Sequence, residues 1–589
     1  MHPSSRTSRT SLRTATRGSP TGPRSSKTTP ANRLAGNTRA SGVLGKIAWT
    51  AAAVVPLAFL AVFFGWPVGA ILARGFVTDG QFSLAMFGEV LGESRTWRIV
   101  AQTLWMAIGG TLGSVLLGIP GAYILYRRRF PGRAVLRGIA TVPFVLPTVV
   151  VGVAFRALLA KQGPLGFLGL DGTTTAVILA MVFFNFSIVV RQVGSLWATL
   201  DPRMTEAART LGASPFRAFR TVTLPQLGPA IASSASLVFL YCSTAFGIVV
   251  TLGQPGYGTL ETEIYTQTTV FLNLPGAAVL SVLQFAIVLV AVLVSNRARS
   301  GTETTLKLGE VKDARLGRGD LWPAIVTFGT IGTLILAPLV ALVARSLQRG
   351  GEWSFANYAL LGTSGTGFAG GATVLEALDH SLKIALDATM IALAIGVPLA
   401  LVLSRRTKSR GFQRAQRVID GAVMLPLGVS AVTVGFGFIV SIQAFAPQLA
   451  MSGLLVPLAQ AVVALPLVVR SLVPVLRAID PRLREAAATL GASPARILRT
   501  VDGPFLARGL GLAAGFAFAV SLGEFGATSF LARPDYVTLP VLIVRLLSRP
   551  GADNYGMALA AAVLLAAVTA TVMVVCEKLR PRGAGEVTG

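Results

Sequence analysis

Twelve apolar runs, each near the roughly 20 residues that cross a bilayer as a helix, punctuate a chain of 589 residues and leave little room for another architecture. They fall near 47–72, 99–126, 138–158, 175–198, 227–252 and 276–296, and again near 321–345, 380–404, 419–442, 452–476, 507–531 and 555–577. The chain is 53% hydrophobic and 13% charged, whereas soluble domains average about 45–50% apolar and about 25% charged residues. The pattern predicts an all-α polytopic membrane protein with about 12 transmembrane helices.

The formal charge of +27 would fit a nucleic-acid binder, but its placement argues against one. Arg127, Arg128, Arg129, Arg133 and Arg137 follow the second run, and Arg405, Arg406, Lys408, Arg410, Arg414 and Arg417 follow the eighth. Positive charge collects on the cytoplasmic side of membrane proteins, so both segments are expected there. Alternation then places both termini and the loops after runs four and ten inside. Residues 1–46 contain no acidic residue and too little apolar surface to offset chain entropy, which predicts a disordered basic tail. The first run is too long for the core of a cleaved signal and reads as an anchor. Two cysteines in separate apolar runs and two histidines give neither a disulfide framework nor a metal-ligand spacing.

The second constraint is an internal repeat. Asp201-Pro202-Arg203-Met204-Thr205-Glu206-Ala207-Ala208-Arg209-Thr210-Leu211-Gly212-Ala213-Ser214-Pro215 returns as Asp480-Pro481-Arg482-Leu483-Arg484-Glu485-Ala486-Ala487-Ala488-Thr489-Leu490-Gly491-Ala492-Ser493-Pro494, identical at twelve of fifteen positions with an offset of 279. The same offset relates Leu146-Pro147 to Leu425-Pro426, Phe246-Gly247 to Phe525-Gly526 and Thr259-Leu260 to Thr538-Leu539. Six runs per repeat give the halves the same orientation, related by an axis along the membrane normal. The boundaries expected are a tail over 1–46, one domain over 47–296, a cytoplasmic linker over 297–320, a second domain over 321–577 and a tail over 578–589.

Each copy of the loop reads as two short helices. Asp201 and Asp480 are good N-caps with proline at the first helical position, Gly212 and Gly491 suit a left-handed stop, and Ser214-Pro215 and Ser493-Pro494 start a second helix. Arginines make the surface polar, while Ala207, Ala208, Leu211, Phe216 and Phe219 give an apolar face that wants a protein partner. An ordinary capped surface loop would account for one copy, but not for two near-identical ones at equivalent places. A DNA-reading helix-turn-helix is excluded by its position between bilayer spans.

Glu206-Ala207-Ala208 with Gly212 and Leu224-Pro225 resembles the EAA signature of permeases from binding-protein-dependent ABC importers. The second copy keeps Glu485, Ala486, Ala487, Gly491 and Pro504 but has Gly503 where the signature has leucine. The resemblance implies two tandem six-helix permease domains of the type I-like fold. It also implies coupling helices that seat in a cytoplasmic ABC ATPase, itself a dimer, and a solute-binding protein on the outer side. No segment fits G-x-x-x-x-G-K-[ST] or another catalytic constellation, so ATP is expected to be used by the partner ATPase, with no cofactor bound by this chain.

Candidate pathway residues are Glu524, an ionisable group in an apolar run where the first half has Ala245, and the kink-forming Pro147 and Pro426. Gly152, Gly435 and Gly437 are expected to allow close helix approach, and Lys383 to pair with Asp387 four residues on. The fused layout, Leu146-Pro147-Thr148-Val149-Val150-Val151-Gly152 and Glu524-Phe525-Gly526-Ala527-Thr528 look similar to iron(III) and thiamine permeases, with sulfate, molybdate and polyamine permeases next. The cargo expected from this resemblance is iron(III), with thiamine as the alternative. An ion-coupled secondary transporter is the reading from a different class; it calls for paired membrane carboxylates and gives no reason for duplicated loops.

Overall fold

A computed structural model describes residues 50–78, 81–254, 257–300, 314–366, 371–405, 409–450, 452–533 and 536–578. The tail over 1–46 and almost all of that over 578–589 lie outside these residues, as does 301–313 of the linker. Long helices dominate because near-continuous apolar runs can satisfy their backbone in a bilayer only internally. Ten described helices are long and apolar enough to span a membrane, and two strongly bent pairs bring the number to as many as twelve.

The principal helices follow the repeat. The first half runs α1 (Thr50–Phe76), α2 (Ser94–Arg127), α3 (Arg133–Phe144), α4 (Thr148–Leu159), α5 (Thr174–Thr199), α6 (Arg203–Thr210), α7 (Pro215–Ser243), α8 (Gly247–Leu252), α9 (Leu260–Thr269) and α10 (Leu274–Ser300). The second runs α11 (Arg318–Ser346), α12 (Val374–Ser404), α13 (Arg410–Gly428), α14 (Ala431–Phe445), α15 (Leu455–Arg477), α16 (Pro481–Thr489), α17 (Pro494–Leu522), α18 (Gly526–Leu531), α19 (Leu539–Leu547) and α20 (Ala552–Lys578). Among the described residues the only strands are three two-residue pairs.

Equivalent contacts recur across the repeat. The first free N–H of α9, on Leu260, donates to Thr103 Oγ1 at 3.0 Å, and that of α19, on Leu539, donates to Ser381 Oγ at 2.7 Å. Basic residues after α2 serve a local purpose as well as topology. Arg133 and Arg137 donate to the Leu125 carbonyl, satisfying an acceptor that the helix end leaves open. Arg128 pairs with Asp320 at 2.8 Å, tying this loop to the start of α11.

Three sequence expectations change in detail. The run near 138–158 is bent by 107° between α3 and α4, and that near 419–442 by 92° between α13 and α14, so neither is a straight span. Pro147 sits at the first break with extended backbone as the cap of α4. Pro426 lies inside α13, and the second break falls after it, where Ser430 caps α14 through Val432 N–H at 3.0 Å. Lys383 pairs with Asp379 at 2.6 Å rather than with Asp387. Both acids are four residues away on the same helix, and the one nearer the helix start wins.

The two sequence halves are not spatially separate domains. Helix α1 keeps its end on its own half, where Gly75 lies against Ala278, but its start reaches across: Leu60 and Phe64 pack among Leu399, Val434 and Phe438, and Phe63 stacks on Phe438 at 6.3 Å. A Cβ on Gly437 would fall 2.8 Å from Pro67 Cβ, so that glycine lets α1 press directly against α14. Conversely α11 lies on the first half, with Ile331, Leu334, Ile335 and Ala341 buried among Phe155, Phe183 and Val189. The first span of each half wraps the other.

Candidate functional site

The repeated loops keep the same local grammar. Asp201 and Asp480 each accept from the N–H two residues on at 2.9 Å. Helices α6 and α16 stop at Gly212 and Gly491, whose φ values of +87° and +79° lie in the left-handed region that glycine enters without steric cost. Ser214 and Ser493 then cap the next helix through Arg217 and Arg496 N–H, both at 3.3 Å. Each chain next passes through a wide π turn, Phe219–Thr223 and Leu498–Asp502, before the long span begins.

These caps aim side chains outward. Glu206, Ala207, Glu485 and Ala486 are exposed, and Ala208 and Ala487 are half-buried against the loop. Leu211 is 89% exposed and its counterpart Leu490 88%; Met204, Phe216 and Leu483 are exposed beside them. These apolar side chains stand open to the surroundings at matching places in two identically capped loops.

The bases of the loops differ. In the second half Asp502 is wholly buried and accepts from Arg484 Nε at 2.7 Å and Arg405 Nη2 at 2.6 Å, so α17 is bound by charge to both α16 and the end of α12. At the equivalent first-half positions Thr205 and Thr223 share a neutral hydroxyl contact of 3.2 Å.

Within each half, short helices press closely together. Gly152 lets α4 close on α8, since a Cβ there would collide with Thr251. Gly435 does the same for α14 and α18, where Ala527 Cα lies 2.7 Å from the Cβ position. Phe246 and Phe525, equivalents in the repeat, stack at 5.1 Å with rings 14° apart. Equivalent residues meet each other only near the axis that relates the halves, so this pair locates the axis. Tyr265 and Phe530 continue the aromatic group at 5.3 and 5.2 Å. Pro147 of the first half packs on Gly523 of the second, beside Glu524.

Glu524 is buried and fully engaged: Oε1 accepts from Ala527 N–H at 2.7 Å, and Oε2 accepts from Thr528 N–H at 2.9 Å and from the Thr528 hydroxyl. It caps α18. The sequence reading overlooked a second pair of acids on α9. Glu263 is held by Arg95 at 3.0 Å and Gln267 at 2.9 Å, whereas Glu261 is wholly buried with only Ser430 of the other half donating to Oε2. The Oε1 atom has no hydrogen-bond partner. One signal could have found it: at the repeat offset Glu261 stands opposite Pro540, an asymmetry like that between Ala245 and Glu524. Among the described residues no cluster of three or more acids, histidines and cysteines could hold a metal ion.

Residues 114–300 match the family described as "Binding-protein-dependent transport system inner membrane component". The thiamine transport system permease protein ThiP of Brucella suis biovar 1 (strain 1330) is 27% identical, the match covering 87% of this chain and 92% of that one. For ThiP of Escherichia coli (strain K12) the figures are 28%, 76% and 83%. The sulfate transport system permease protein CysT of Salmonella typhimurium (strain LT2) is 33% identical over 33% of this chain and 71% of its own. A crystal structure of a bacterial ABC transporter that imports alginate matches 46% of this chain and all of its own, with 17% identity and a TM-score of 0.39. With EAA loops in both halves and a relative one-third identical over most of its length, the chain belongs to the binding-protein-dependent transport system inner membrane component family.

Proposed function

We propose that this chain is the permease subunit of an ATP-driven thiamine importer, taking its power at the loops around Glu206 and Glu485. The observation that carries the coupling role is the pair of near-fully exposed leucines, Leu211 and Leu490, on identically capped loops. In this reading they fit grooves in a dimeric cytoplasmic ATPase, one groove per loop, and the loops and both termini are cytoplasmic. ATP is bound and hydrolysed by that partner, and a solute-binding protein delivers cargo from the other side. Glu524, Pro147 and Pro426 act at the meeting of the halves in this reading.

Thiamine rests on the ThiP relatives, whose matches run through both halves. Iron(III), first in the resemblance read from sequence, is named by none of the relatives above, so thiamine replaces it. Sulfate is favoured less, because the CysT match covers a third of this chain and a buried carboxylate without a cation opposes an anion at the axis. Proteoliposomes holding the permease, its ATPase and its binding protein provide the test. Saturable, ATP-dependent uptake of labelled thiamine is expected; uptake of ferric iron or sulfate instead would overturn the cargo.

A further inference from the structure

A carboxylate without a counter-cation in a membrane protein's interior is costly, and such groups concentrate where a substrate or ion supplies the missing charge. Three buried acids near the axis can be compared. Glu263 has Arg95, and Glu524 has two backbone donors and a hydroxyl. Glu261 has Ser430 alone, and its Oε1 remains open. Among the described residues no cation pairs with it.

The surroundings add a second feature. Glu261 projects from α9 of one half onto the first turn of α14 of the other, because Ser430 is the cap of that helix. A Cβ at Gly526, immediately after Phe525, would lie 2.9 Å from Ala431 Cβ and 3.1 Å from Val432 N. The backbone beside Phe525, whose ring stacks on Phe246, therefore adjoins the same turn, and Tyr265, one helical turn along α9 from Glu261, joins Phe246 to Phe530. One open carboxylate oxygen beside an aromatic group is the combination that binds an organic cation: the acid neutralises it and ring faces attract it through their quadrupoles.

We propose that Glu261, with Phe246, Tyr265, Phe525 and Phe530, forms a recognition station for an aromatic organic cation at the seam between the halves. The station admits the cation as the halves part, and both halves contribute walls, so binding is sensed across the seam. Glu261 contacts the charge, and Ser430 positions the carboxylate. This inference rests on the thiamine reading for its cargo, thiamine being a thiazolium cation, and the test separates the two.

Uptake of thiamine and of its neutral thiophene isostere, each supplied with the same binding protein, is compared in proteoliposomes of the full complex. Glu261→Gln, similar in shape and able to keep the Ser430 contact, is expected to lower thiamine uptake at least tenfold and to change isostere uptake less than twofold. Glu261→Asp, which retains the charge, is expected to recover a substantial part. Equal loss of both compounds in Glu261→Gln, or thiamine uptake within twofold of the wild type, would overturn the station. Binding of phenyltrimethylammonium to the purified complex, read as a melting-temperature shift, tests it independently of cargo. A shift in the wild type that Glu261→Gln abolishes supports the station even if thiamine is not carried, and no shift in the wild type contradicts it.

Discussion

Three acids show three ways in which a carboxylate survives burial. Glu524 is a helix cap, and replacing it with alanine strands the Ala527 and Thr528 N–H groups. Leaving buried donors unpaired costs about 1–3 kcal/mol each, so Glu524→Ala is expected to lower the melting temperature of the purified permease, and Glu524→Gln, which keeps one acceptor, to lower it less. Equal melting temperatures for wild type and Glu524→Ala would remove the capping role. Glu524 was legible in sequence because a lone charge inside an apolar run stands out; that it caps α18 was not, since the donors are positioned by a break no residue announces. Glu261 was not legible as a buried acid. It follows a Gly-Thr segment between apolar runs, where acids are ordinarily solvated, and its contact with Ser430 at the start of α14 comes from the other half. The pairing of Lys383 failed for a simpler reason: two acids were equally spaced, and spacing alone could not choose.

At the scale of elements, the caps of the two repeated loops were legible because each is made within a few residues. What sequence did not yield is that the loops are anchored unequally. Arg484, Asp502 and Arg405 are spread over nearly a hundred residues, and their convergence needed the packing of α12 on α17. Removing one partner of a buried ion pair costs about 3–5 kcal/mol because the other charge is left uncompensated, less here since both arginines keep some exposure. Asp502→Ala is therefore expected to destabilise the second loop and lower the melting temperature, while Thr223→Val at the equivalent site changes it little. Limited proteolysis around α16 gives the same comparison locally, and equal sensitivity of the two loops in the two variants would contradict unequal anchoring. The exposed leucines make a separate prediction. Leu211→Asp and Leu490→Asp leave the permease folded, having little to unpack, and each is expected to reduce copurification of the ATPase several-fold; retention at the wild-type level would show that the loops dock elsewhere.

The whole molecule was legible as two six-span halves and not as an interlaced pair. Hydropathy locates spans but says nothing of which neighbour each one meets, so the exchange of α1 and α11 between halves came only with the fold. A consequence follows for glycine. Gly437→Leu would drive a side chain into the Pro67 backbone and force α1 from α14, an overpacking cost of typically about 1–3 kcal/mol or more. Gly332→Ala on α11, where nothing lies within 4 Å of the added Cβ, is expected to be tolerated. Similar melting temperatures for Gly437→Leu and the wild type would argue against the exchange. In the proposed function the loops around Glu206 and Glu485 are the entry point of ATP-driven work. The most direct test is ATP-dependent uptake by the complete complex in proteoliposomes with Glu206→Ala and Glu485→Ala combined. Loss of uptake together with loss of ATPase association is predicted; unchanged uptake and unchanged association would contradict it.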